Sequence, residues 1–163
     1  MRPLLRNTFQ LSVGTRARVM AYFLVCASCG AVGFLAVLHL DQMALFEPMT
    51  LYQRWIVAAS AIGGVFALKL AGDRVGAIGK GAVVRGISGG LWVTFVGALI
   101  GGTLALPFYG TMFGPFIVGV TLLGQPVLVV FWVMNLVAVH YLMKTYQRER
   151  DTIFVPRSTY SNI

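Results

Sequence analysis

The chain has 163 residues, 58% of them hydrophobic and only 11% charged, with a mean hydropathy of +0.80. A soluble domain carries about a quarter charged residues, so this composition excludes a soluble fold and fits a chain solvated by lipid, where charge is expensive. The balance of 13 Lys and Arg against five Asp and Glu gives a net charge of +8; the basic residues sit at the ends of apolar runs, so the excess reads as membrane topology and no nucleic-acid partner is expected.

Arg2, Arg6, Arg16 and Arg18 precede the first acidic residue, Asp41. The apolar run that follows is too long for a secretory signal and lacks a small-residue cleavage site. The opening stretch has the Arg-rich, acid-free character of a mitochondrial presequence, and equally that of a plain positive-inside anchor. Residues 19–40 form the first run, long enough to cross a hydrocarbon core of about 30 Å. A polar stretch with Asp41, Glu47, Pro48 and Arg54 leads to a shorter run, residues 55–71, which closes near Lys69. The Gly-rich basic connection 72–86 precedes a third run, residues 87–106, which stops at Pro107. An aromatic turn leads into residues 116–143, longer than one crossing needs; it is expected to tilt, to kink near Gly124-Gln125-Pro126, or to overrun the bilayer. Residues 144–163 are a polar tail in which Phe154, Val155 and Tyr160 offer a neighbour something to bind.

These runs predict an all-α integral membrane protein: one domain, a four-helix bundle with both termini on the basic side. Every basic residue except Arg54 then falls on one face of the membrane, which is the bias that orients multi-pass proteins.

Small residues four apart predict close helix packing. Cys26/Gly30 and Cys29/Gly33 lie in the first run, and Ala59/Gly63 and Ser60/Gly64 in the second. The third carries Gly86, Gly90, Gly97 and Gly101, more small positions than one face needs, so it is the expected contact with a partner helix. Gly119 and Gly124 mark the fourth.

Chemistry is sparse. Cys26-Ala-Ser-Cys29 has redox spacing but lies within lipid, where a reactive thiolate has no electropositive, partly exposed setting. His39 and His140 fall at opposite membrane faces and cannot share a haem. No carboxylate lies within a run, whereas ion-coupled transporters generally hold one there. Thr94, Thr103, Thr121, Gln125 and Asn135 are the candidate buried polar residues, and interhelical hydrogen bonding is their expected role. The segment Gly-Ala-Ile-Gly-Lys-Gly fails phosphate-loop spacing, because Arg74 stands where the first glycine is required. Arg16, Arg18, Lys69, Arg74, Lys80 and Arg85 form a basic group at one face, suited to anionic head groups such as cardiolipin.

The segment Glu47-Pro48-Met49-Thr50-Leu51-Tyr52-Gln53-Arg54-Trp55 resembles the first external loop of the quinone-reducing disulfide-bond oxidoreductases, four-helix proteins of similar length. That family carries cysteine pairs in both external loops; neither loop here has a cysteine, so no residue role is carried over. In composition the Gly-rich runs also resemble the four-helix import translocases of the mitochondrial inner membrane. The expectation from these readings is a non-catalytic accessory subunit of a larger respiratory or photosynthetic membrane complex, without cofactor or metal. It would contact other membrane subunits and anionic phospholipids, in the mitochondrial inner membrane ahead of a bacterial one. The alternative is an oligomeric transporter, channel or translocase module.

Overall fold

The computed structural model describes residues 12–42, 47–79 and 81–153. Arg2, Arg6, Lys80, Phe154, Val155 and Tyr160 therefore lie outside the described residues. Five α-helices follow one another: α1 Val13–Leu40, α2 Leu51–Ala71, α3 Ala82–Ala105, α4 Gly110–Gly124 and α5 Pro126–Ile153, with a 3-10 turn at Gly72–Arg74. The described residues contain no strand.

Local chemistry sets the helix ends, and it starts three helices outside their apolar runs. Ser12 caps α1, its hydroxyl accepting from the Thr15 amide, so the helix begins six residues before the run. Thr50 and Gln53 form a reciprocal capping box, which begins α2 at Leu51. Gly81, at φ +79°, turns the chain into α3. Pro126 removes a backbone donor and fits the first position of a helix, so residues 116–143 are divided between α4 and α5 rather than forming one rod.

α1, α2, α3 and α5 are each long and apolar enough to cross a membrane. α4, at 15 residues or about 22 Å, is shorter than a hydrocarbon core of about 30 Å. The protein is thus a multi-pass membrane bundle of four spanning helices with one additional short helix. Large side chains on the spans, such as Phe23, Phe66 and Phe95, face outward, as lipid allows.

α1 packs between α2 and α5, α2 between α1 and α3, and α4 lies against α3. The small-residue pairs interlock. A methyl added at Gly63 would lie 2.5 Å from the Gly97 carbonyl oxygen and 2.6 Å from the Gly101 amide nitrogen, so α2 and α3 meet backbone to backbone. On the other side of α2, Gly64 receives the Cys29 side chain, and Ser60 fits over Gly33 of α1. Gly102 and Gly110 bring α3 and α4 into similar backbone contact.

The packed core lies toward the basic end. Ala21, Val25, Ala67, Leu68, Ala71, Val75, Val93, Val139 and Met143 form one buried cluster there. Side chains of α5 clamp the connection after α2 over this end. Gln147 Nε2 donates to the Asp73 and Val75 carbonyls (3.3 and 2.9 Å), the Gly76 amide donates to His140 Nδ1 (3.1 Å), and Arg150 pairs with Asp73 at 2.9 Å. At the other end Gln53 Nε2 donates to Asp41 at 2.5 Å, and Tyr52 and Trp55 donate to the Ala105 and Leu104 carbonyls at the end of α3.

Candidate functional site

The two halves of the bundle differ. α3 meets α5 where Gly86 receives the His140 ring, Gly90 receives Leu136, and Trp132 Nε1 donates to Thr94 Oγ1 at 3.0 Å. Beyond Thr94, toward the acidic end, α4 rather than α5 packs on α3, at Ala98 and Gly102. The change of partner leaves a cleft of about 360 Å³ among the helices. Its walls are mostly apolar. Ser28, Cys29, Thr94, Trp132 and Asn135 lie along it, and Asp41, Tyr52, Leu106 and Phe113 stand toward the acidic end.

The polar groups of this wall are satisfied locally, with one exception. Ser28 Oγ donates to the Val25 carbonyl (3.1 Å) and Ser60 Oγ to the Ile56 carbonyl (2.9 Å). Thr94 Oγ1 donates to the Gly90 carbonyl (3.0 Å) while accepting from Trp132. Asn135 is only 8% exposed, and its Nδ2 has no hydrogen-bond partner among the described residues. The amide was expected to bond across helices; the structure instead leaves its donor unpaired among the described residues.

Register places Asn135 deep. Glu149 accepts from the Gly14 amide, and Arg18 donates to Tyr146, so α1 and α5 run antiparallel. Extending that register sets Asn135 opposite Ser28 and Cys29. From Cys29 to Asp41 is 12 residues, about 18 Å along α1.

The other expected positions are distributed as follows. Gly86, Gly90, Gly97 and Gly101 all face helices or side chains of this same chain. Within the chain, α2 takes up Gly97 and Gly101 on one side of α3, and α5 takes up Gly86 and Gly90 on another. Gly119 and Gly124 meet nothing within 4 Å. Among the basic residues, Arg18 stacks on Tyr22 and Tyr146, Arg74 lies 5.1 Å from the Trp92 ring centre, and Arg85 donates to the Ile78 carbonyl. Arg16 and Lys69 are exposed. Cys26 and Cys29 are both free thiols, and Cys29 packs into Gly64. His39 ends α1 near Asp41, whereas His140 sits at the opposite end under the 72–79 connection. Among the described residues no three His, Cys, Asp or Glu side chains converge as a metal site would require.

The sequence did not reveal the cleft. Its one signal was Asn135 itself, an amide amid an apolar run. The chain matches no protein-family model, no curated protein and no solved structure.

Proposed function

We propose that this chain is a non-catalytic accessory subunit of a larger energy-transducing membrane complex, respiratory or photosynthetic, to which it contributes packing surface and lipid contacts. The observation that supports this reading is the uneven closure of the bundle. α1, α2 and α3 interlock through glycine backbone contacts, while α4 buries only Gly110. The outward side chains of α4, among them Met112, Phe116 and Leu123, need cover from lipid or from a neighbouring protein. Arg16, Lys69 and the neighbouring basic residues supply positive charge for anionic phospholipids such as cardiolipin at the opposite end. The Arg-rich start favours the mitochondrial inner membrane over a bacterial one.

Purification in mild detergent followed by native electrophoresis and mass spectrometry tests the assignment. Comigration with a stable set of membrane proteins is the expected outcome. A lone monomer at every detergent concentration overturns it. Native mass spectrometry after gentle delipidation tests the lipid contact, with a retained anionic phospholipid expected.

The cleft favours a second reading, a transport module. Its apolar lining restricts passage to uncharged solutes, since ions need polar or charged walls. Solute flux through liposomes containing this chain alone would establish that reading in place of the first.

A further inference from the structure

We propose that the cleft in the acidic half of the bundle binds an uncharged, apolar molecule carrying a carbonyl oxygen, held by a hydrogen bond from Asn135 Nδ2. The site is built from all five helices, with Tyr52, Ile56 and Ser60 contributed by α2.

An unpaired donor in a low-dielectric interior is costly, because its lost hydration is not replaced. Burial of the Asn135 amide against apolar neighbours is therefore unfavourable unless an acceptor arrives. The wall supplies none within reach: the hydroxyls of Ser28, Ser60 and Thr94 donate to carbonyls of their own helices, and none of their oxygens accepts from Asn135 Nδ2. A ligand oxygen meets the need, and the surrounding volume suits a small molecule, since sites of this kind occupy about 300–1,000 Å³ with apolar walls and few polar groups.

Depth narrows the class. Asn135 lies level with Cys29, about 18 Å along α1 from Asp41 at the acidic end of the lining. A phospholipid's ester carbonyls stay at the edge of a hydrocarbon core whose half-thickness is about 15 Å, so they do not reach the amide. The oxygen must belong to a molecule that itself dissolves in hydrocarbon. The Trp132 ring, fixed by its bond to Thr94 one helical turn from Asn135, gives such a molecule a flat apolar wall.

Benzophenone is a direct probe, being an uncharged ketone that inserts into nearby C–H bonds on irradiation. The full chain in lipid nanodiscs is photolabelled over a range of benzophenone concentrations, and the adducts are mapped by mass spectrometry. Saturable labelling of cleft residues such as Val93, Leu136 and Ile117 is expected. Diphenylmethane, which has the same shape without the carbonyl, should compete about tenfold more weakly than unlabelled ketone analogues. Asn135→Leu should weaken labelling by about tenfold while raising the melting temperature of the ligand-free protein, since it removes an unpaired buried donor. The competition uses the natural chain and stands whatever the variant's folding. Equal competition by diphenylmethane overturns the proposal, because the cleft would then be filled by any hydrocarbon. Labelling that never saturates, or that is unchanged in a folded Asn135→Leu chain, overturns it as well.

Discussion

At the scale of single residues, the glycines separate into those that hold backbones together and those that do not. Gly76 sits at φ +88°, and a methyl there would lie 2.6 Å from the Lys144 nitrogen and the Met143 carbonyl carbon. Both the left-handed conformation and the rigid neighbour oppose any side chain. Gly76→Ala should cost more than about 2 kcal/mol, read as a large fall in melting temperature in detergent. Gly72, at φ +55° with nothing within 4 Å, isolates the conformational part, and Gly72→Ala should cost only about 1–2 kcal/mol. A parallel contrast exists inside the spans. Gly63→Ala forces two backbones apart at 2.5 Å, whereas a methyl at Gly30 meets Ala61 at an ordinary 3.7 Å. Gly63→Ala should destabilise the bundle, and Gly30→Ala should leave it unchanged or improve it by up to about 1 kcal/mol through helix propensity. Equal effects of these two substitutions in thermal melts would remove the interlocking account of α2 and α3.

At the scale of elements, the connection between α2 and α3 is held by α5 rather than by its own sequence. Val75, Gly76 and Ala77 are buried although they belong to no helix; the Gly76 amide is met by His140 and the Val75 carbonyl by Gln147. Gln147→Leu keeps much of the side-chain volume but removes two donated hydrogen bonds, to the Asp73 and Val75 carbonyls. The expected cost is about 1–3 kcal/mol. Hydrogen exchange across residues 72–79 should accelerate at least several-fold, with α1 and the first half of α2 unaffected. Exchange rates that rise uniformly along the chain would mean that Gln147 supports global stability instead of this clamp.

The same elements explain what the sequence exposes and what it hides. Run lengths revealed the four crossings, and the i, i+4 pairs Cys29/Gly33 and Ser60/Gly64 marked real contact faces, because close approach requires small residues at that spacing. The choice of partner was hidden. In lipid an outward face is as apolar as an inward one, so hydropathy does not tell Phe95, exposed, from Val93, buried two residues earlier. Pro126 signalled an irregularity in the fourth run but not that α4 would be a separate helix too short to cross. The cleft is a product of that division, since α4 takes the α3 surface that a straight fourth helix would have covered; it could not be read before the helices were placed. The roles of His140 and Gln147 were hidden because the Gly76 amide and the Val75 carbonyl lie 64 and 72 positions away in the chain.

At the scale of the whole molecule, topology and packing point the same way. α1 begins and α5 ends side by side, tied by Glu149 to the Gly14 amide and by Arg18 to Tyr146, so an even number of crossings separates them. The connection 72–79 joins that end through Gln147 and Arg150, while Asp41, Gln53 and the end of α3 gather at the other. Basic residues concentrate at the first end, the asymmetry that the positive-inside bias produces in multi-pass proteins. Single cysteines introduced by Ser12→Cys, Thr152→Cys and Glu47→Cys, in a chain carrying Cys26→Ala and Cys29→Ala, make this measurable in sealed vesicles with a membrane-impermeant maleimide. Ser12→Cys and Thr152→Cys should react together from one side, and Glu47→Cys only from the other. Thr152→Cys reacting together with Glu47→Cys, from the side opposite Ser12→Cys, would require α4 to complete a fifth crossing, which its 15 residues are too few to do.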